Sequence, residues 1–324
     1  MKNLGIMFFS LAFSILLVLP RALAGAPGSP CACRDGGVVN VQSDCGADGS
    51  AANDTSAFQE AYNAVTNPNI SCYGDRIYVP AGNWEGHWPQ PMTSTVFIQG
   101  AGQVATNFLG DNTGVPIFYV KTPITLDSLG FWGSGNIGVL LDSNSYNSVL
   151  ENLYCRSSSQ PFVYVRNTTQ DLHFENLTSI SCGNASADPM VGGTMVLSGL
   201  GNNYPNNIYF VGLNIEAGNN SAIVDKYVPS VVIYGGEINN FGLPTSNPLI
   251  YSLGLSADAG SSQIYVSGAV DGTSNFYIGG TTNYDLVSYD FSSVTGAFTT
   301  FGPGPLGVAI PGSYNFTCTN CINP

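Results

Sequence analysis

Between Ile124 and Asn240 the chain repeats itself at a nearly constant step, and a repeat of this kind dictates architecture before any single residue does. The segments Ile124-Thr-Leu-Asp-Ser-Leu129, Ser148-Val-Leu-Glu-Asn-Leu153, Leu172-His-Phe-Glu-Asn-Leu177, Ile208-Tyr-Phe-Val-Gly-Leu213 and Val232-Ile-Tyr-Gly-Gly-Glu237 begin 24, 24, 36 and 24 residues apart. Each interval also holds a second apolar run: Val139–Leu141, Phe162–Val165, Met195–Leu197, Ala222–Val224 and Leu249–Tyr251. A chain that returns to the same short apolar strand every 24 residues winds into stacked coils, in which each coil buries its neighbour. The step of 36 is one coil carrying an insertion, from about Cys182 to Asn203, placed to wall a groove.

Within each first strand, alternation sends the first and third positions inward and leaves the second and fourth outside. The fifth position is Ser128, Asn152, Asn176, Gly212 and Gly236, residues suited to a tight bend and to side chains that bond from coil to coil. Asn176 also heads one of seven Asn-x-Ser/Thr sequons, and a bend ladder would turn it into the structure, away from glycosylation. Val96–Gly100 and Ile117–Val120 read as a less regular coil upstream. Ile264–Val266, Phe276–Ile278 and Leu286–Tyr289 read as strands of a decayed repeat downstream.

Ahead of the repeat stand Gly46-Ala-Asp-Gly-Ser50, then Asn53-Asp-Thr-Ser-Ala-Phe-Gln-Glu-Ala61, then Ile77-Tyr-Val-Pro-Ala-Gly-Asn-Trp84. In this order they resemble the opening of the pectate-lyase superfamily in its rhamnogalacturonase and epimerase-like branch. Asn53 departs from the acid usual at that place. The resemblance implies an all-β fold, a single-stranded right-handed parallel β-helix with an N-terminal capping helix. Locally, Asp54 or Thr55 is suited to accept a backbone N–H at a helix start, and Ala57, Phe58, Ala61, Ala64 and Val65 recur on one helical face. Such a helix plugs the open end of a solenoid. The expected organisation is a signal peptide over 1–24, a cap and first coil over 25–95, coils over 96–270, and C-terminal strands with a cysteine-containing cap over 271–324.

Residues 1–24 carry Lys2, an apolar run from Leu4 to Leu19 and Ala22-Leu-Ala24, the pattern of a secretory signal. No later segment is long and apolar enough to span a bilayer. An exported chain with eight cysteines, at 31, 33, 45, 72, 155, 182, 318 and 321, points to disulfides. Spacing leaves the pairing open. The expected arrangement is a staple among the first four, a bridge across coils from Cys155 to Cys182 and a C-terminal clip, with zinc at the short cysteine spacings as the alternative.

Charge narrows the partners. The net charge is −13, and removing 1–24 takes away Lys2 and Arg21, leaving six basic residues against 21 acidic ones. That excludes nucleic acid and anionic membranes as partners. It also disfavours a polyuronate substrate, since Arg34, Arg76, Lys121, Arg156, Arg166 and Lys226 are scattered. A monomeric extracellular protein acting on polysaccharide is expected, without a cofactor unless it is a lyase, in which case calcium is expected.

The outward fourth positions read Asp127, Glu151, Glu175, Val211 and Gly235, and the second positions Thr125, Val149, His173, Tyr209 and Ile233. Adjacent rungs lie about 4.8 Å apart, so Glu151 and Glu175 can share a proton, hold a cation or act as a retaining pair. Asp127 and Glu175, about 9.6 Å apart across two rungs, match an inverting pair. Crowded like charges raise one pKa, as a general acid needs. The same stripe also fits a solvated acidic face without chemistry. His173, Tyr209, Trp132 and Trp88 are candidates to line sugar subsites, and Trp84 is a core residue. Arg156 is a candidate base for β-elimination or a neutralising partner for the acids. The Asn-Thr-Asp, Asp-Asp and Gly-His-Gly motifs of polygalacturonases are absent, as is an Arg-Ile-Lys segment of the pectate-lyase kind. A glycoside hydrolase acting on a neutral or weakly charged polysaccharide is therefore the leading expectation, with Glu151, Glu175 and Asp127 as its acids. A pectate-type lyase and a non-catalytic binding or structural β-helix are the alternatives.

Overall fold

Short strands separated by bends that reverse the sign of φ fix the path of this chain. The computed structural model describes residues 31–33, 36–133, 135–184, 193–199, 205–216, 221–226, 228 and 230–239, together with the strand backbones at 250–253, 262–271, 276–279, 284–295 and 316–319. All the strands pair in parallel and build a β-solenoid with three faces. The first face stacks Val38–Asn40, Arg76–Val79, Val96–Gly100, Ile124–Asp127, Val149–Glu151 and Gln170–Glu175. The second stacks Gly82–Trp84, Thr106–Phe108, Gly130–Trp132, Tyr154–Arg156 and Thr178–Ile180. In Asn206–Glu216 and Ser230–Asn239 one strand runs through the corner and joins these two faces into a single sheet. A separate seven-stranded sheet, from Phe118–Val120 to Phe276–Gly279, is the third face. Parallel pairing continues through Tyr284–Thr295 to Phe316–Thr319.

The corner between the first two faces is made by Ser128, Asn152, Asn176, Gly212 and Gly235, all at φ between 52° and 69°. Asn and Gly tolerate this left-handed conformation at little cost. The amide of Asn176 donates to Asn152 Oδ1 at 3.3 Å, so the expected ladder is present. It lies on the outside of the corner, however, and Asn176 is exposed rather than turned inward.

The last repeat is out of phase with the sequence reading by one residue. Ile208 pairs with Val231 and Phe210 with Ile233, so Gly235 rather than Gly236 is the corner residue. A slip of one residue exchanges the two faces of a strand. Val231 and Ile233 are buried accordingly, whereas Tyr234, expected inside, is 60% exposed. The outward second and fourth positions of that coil are thus Val232 and Tyr234, not Ile233 and Gly235.

The helix spans Ala51–Thr66 and buries the anticipated Ala57, Phe58, Ala61, Ala64 and Val65. It starts ahead of Asp54, which lies within its first turn and caps no helix end. Instead the fully buried Asp54 accepts the backbone N–H groups of Asp48, Gly49 and Glu85, tying the glycine-rich turn and the end of Gly82–Trp84 to the helix. Asn53 donates to Asp48 at 2.7 Å, a bond that an acid at that position would replace with repulsion. Bridges Cys31–Cys45 and Cys33–Cys72 staple this cap, and Cys155–Cys182 joins adjacent coils, which removes Cys31 and Cys33 from any zinc site. The C-terminal clip, the signal segment and most of the insertion lie outside the described residues. Among the described residues no helix is long and apolar enough to cross a membrane.

Inside, aromatic rings continue from the cap into the coils. Phe58 stacks on Trp88 with centroids 4.7 Å apart, Trp88 on Phe118 at 5.4 Å, and Phe174 on Phe210 at 4.7 Å. Trp84 is core, as expected, but Trp88 is core too: it is 0% exposed and offers no face to a sugar. The stretch after Gly82–Trp84 turns back under the helix, where Phe58 claims the indole ring. Trp88→Ala is expected to cost about 3–5 kcal/mol of stability through the cavity it leaves, read as a lowered urea midpoint with an unchanged slope.

Candidate active site on the first face

Backbone pairing sets Asp127, Glu151 and Glu175 side by side on consecutive rungs, with Val211 and Tyr234 continuing the column. The parallel column beside it reads Thr125, Val149, His173, Tyr209 and Val232. The three acids thus occupy one half of the face, and an apolar and aromatic stretch occupies the other. His173 and Tyr209 stack at 5.1 Å with their planes 14° apart, forming a ring platform beside Glu175. Further along the column Val211 is 44% exposed, so the aromatic half opens to solvent.

The three acids differ in surroundings. Asp127 is only 8% exposed and both its oxygens are occupied: Gln99 donates to Oδ2 at 2.9 Å, and Ser128 and Asn152 donate to Oδ1 at 2.7 and 3.0 Å. Arg76 in turn donates to Gln99 at 3.2 Å. Glu151 is partly buried, and its carboxyl is pushed above its ordinary value by desolvation first, then by the charges of Asp127 and Glu175 on either side. Glu175 is exposed.

Arg156 and Trp132 do not join this group. They pair with each other in register on the second face, where the guanidinium lies 5.7 Å from the indole centroid and Tyr154 meets the same indole edge-on at 6.3 Å. Arg156 thus neither neutralises the acid column nor stands as a base beside it, because the corner at Asn152 turns the chain onto the second face before Arg156 is reached. Two further cations are consumed at the end of the third face. There the nearly buried Asp142 accepts from Arg166 at 3.0 Å and has Lys121 Nζ at 3.9 Å. Burial opposes the charge of Asp142, but hydrogen bonds from Asn167, the Ser143 N–H, Tyr119 and Arg166 outweigh it and hold the carboxyl well below the usual range.

Sequence reasoning missed Gln99, Asn152 and Tyr234 as members of the site. Gln99 falls at the fourth position of Val96–Gly100, in register with Asp127, but that coil is 28 residues from the next and breaks the step.

No protein-family model matches the chain, and no curated protein matches it significantly. Among solved structures, the ORF18 protein of Geobacillus virus E2 aligns with 87% of the chain at 15% identity and a TM-score of 0.62; the chain spans 61% of that protein's length. The A-module of a mannuronan C-5 epimerase from Azotobacter vinelandii aligns over 87% of this chain and 100% of its own, at 16% identity and a TM-score of 0.41. The catalytic unit of an α-1,3-glucanase from Streptomyces thermodiastaticus aligns over 90% of this chain and 70% of its own, at 14% identity and a TM-score of 0.32. The fold is a parallel β-solenoid, consistent with the right-handed β-helix expected from the sequence. The likeness extends to the fold and no further, so the chemistry of this β-helix rests on its own side chains.

Because folding raises the pKa of Glu151, the folded β-helix holds that proton more tightly than the unfolded chain does. The associated stability is complete below the ordinary value of 4.5 and is lost as pH rises through the folded value. Glu151→Gln is expected to abolish this fall and to gain stability over the natural chain at pH 7. Asp127→Asn and Glu175→Gln are each expected to lower the Glu151 midpoint. Urea midpoints across pH and carboxyl carbon chemical shifts measure the two effects.

Proposed function

We propose that this protein is a secreted carbohydrate-active enzyme that hydrolyses glycosidic bonds of a neutral or weakly charged polysaccharide at the acid column of the first face. The observation that carries the reading is the position of Glu151, whose carboxyl is pushed above its ordinary value by burial and by Asp127 and Glu175 on adjacent rungs. The three bridges Cys31–Cys45, Cys33–Cys72 and Cys155–Cys182 suit an oxidising compartment.

The surroundings of the acids support distinct roles. Glu151 and Glu175, about one rung or 4.8 Å apart, approach the separation of a retaining pair. Glu151 gives its proton to the glycosidic oxygen while the exposed Glu175 carboxylate attacks the anomeric carbon; the leaving sugar departs as an alcohol and a glycosyl ester forms on Glu175. Glu151, now a carboxylate, takes a proton from water as that water attacks the same carbon and releases Glu175. The product keeps its anomeric configuration. Asp127, with both oxygens engaged, serves as a positioned charge that raises the proton affinity of Glu151. His173, Tyr209 and Tyr234 supply ring surfaces along the axis for neighbouring sugar units.

A non-catalytic glycan-binding role is the second reading, favoured by the open aromatic half of the same face. A panel of plant and fungal wall polysaccharides, read for reducing ends and for ultraviolet absorbance with and without calcium, separates the readings. Hydrolysis gives reducing ends without absorbance, and Glu151→Gln is expected to lower it by about a hundredfold or more while leaving binding intact. Calcium-dependent absorbance would mean a lyase. Binding without either product would leave the binding role standing.

A further inference from the structure

The protein leaves part of its acid column without a counter-cation. Among the described residues Lys121 and Arg166 meet Asp142 at the end of the third face, and Arg156 lies on the second face. Lys226 belongs to a strand of the third face. Arg76 donates to Gln99 three rungs, about 14 Å, from Glu151. Hydrogen-bond donors converge on Asp127, whereas no described side chain donates to Glu151 or Glu175. Carboxylates on neighbouring rungs repel one another, and a cation brought by a ligand relieves that repulsion.

The rings beside the acids suit the same guest. His173 stacks on Tyr209 in the rungs at and just beyond Glu175, and Tyr234, two rungs beyond it, is 60% exposed. A phenol face attracts an ammonium group as well as the apolar face of a sugar. Carboxylates alone would suit any cation, and rings alone any sugar. Side by side they suit a sugar that carries its own positive charge.

We infer that the polysaccharide taken by the first face carries free amino groups: a 2-amino-2-deoxyhexose unit lies on the His173–Tyr209 platform and its ammonium group pairs with Glu175. The inference rests on the reading of this face as the sugar-binding face and makes its substrate class specific, without requiring the acids to be catalytic. In a 2-amino sugar the ammonium is one carbon from the anomeric centre. A carboxylate placed to reach that carbon is therefore also placed to pair with the ammonium. Burial, the larger cause of the raised carboxyl of Glu151, is unaffected by such a charge on Glu175. The whole chain acts in the same direction, since a net charge of −13 attracts a polycation.

Calorimetry with the intact protein tests this at about pH 6, where carboxylates are ionised and sugar amines largely charged. A β-1,4-linked glucosamine hexamer is expected to bind at least about tenfold more tightly than its fully N-acetylated counterpart or cellohexaose, with a preference that shrinks as salt is added. Glu175→Gln should remove most of that preference. Glu216→Gln takes the same charge from an exposed acid of the second face and should leave the preference intact, which separates pairing at the site from attraction by net charge. Tyr209→Ala should weaken all three oligomers. Equal or better binding of the neutral hexamers, a preference that survives Glu175→Gln, or an equal loss in Glu216→Gln would overturn the amino-sugar assignment while leaving the face a sugar-binding one. Failure of all three oligomers to bind would overturn both. A glucosamine hexamer that is bound as expected but yields no new reducing ends would uphold the assignment and remove the hydrolase.

Discussion

The left-handed residue that ends each strand of the first face governs the rest of the molecule. Ser128, Asn152, Asn176, Gly212 and Gly235 turn the chain through the same corner at nearly the same φ. That repetition keeps Leu129, Leu153, Leu177 and Leu213 pointing inward just beyond it. Because each strand is short, its phase is reset at every corner. Where the corner residue sits thus determines which side chains are core and which are presented to solvent.

Parallel stacking in register also brings like next to like, which is favourable for rings and unfavourable for charges. Phe174 over Phe210 and His173 over Tyr209 gain from it. The acids do not, and the structure answers by treating them unequally: Asp127 is enclosed by donors, Glu175 is left to solvent, and the carboxyl of the middle acid is pushed above its ordinary value.

Much of this was legible in the sequence, and the failures have physical causes. The recurrence of Leu-x-Asn-Leu and Phe-x-Asn-Leu around the asparagines revealed the coils, the corner and the acid column, since regular backbone pairing converts equal spacing into adjacency. The phase of the last coil was hidden because Val231-Val232 and Gly235-Gly236 fit either of two registers, and only the burial of Val231 and Ile233 decides between them. Trp88 misled because an indole outside a regular strand carries no periodicity to say which way it faces. Trp132, expected to line a sugar subsite, and Arg156, expected as a base or a neutralising partner for the acids, lie elsewhere because a single corner residue turns the chain onto another face. The donors around Asp127 come from a coil whose length departs from the repeat, so counting could not reach them.

A site whose members are spaced by backbone hydrogen bonds has a discrete set of possible geometries. The backbone positions that carry carboxylates on this face are one rung apart or two, and side-chain rotamers adjust the separation only around those steps. Since the separation of two carboxylates selects between retention and inversion at the anomeric carbon, stereochemistry on such a scaffold is quantised. Relocating one acid by a single coil would carry an enzyme of this design from one outcome to the other, whereas remodelling the surrounding loops would leave it unchanged.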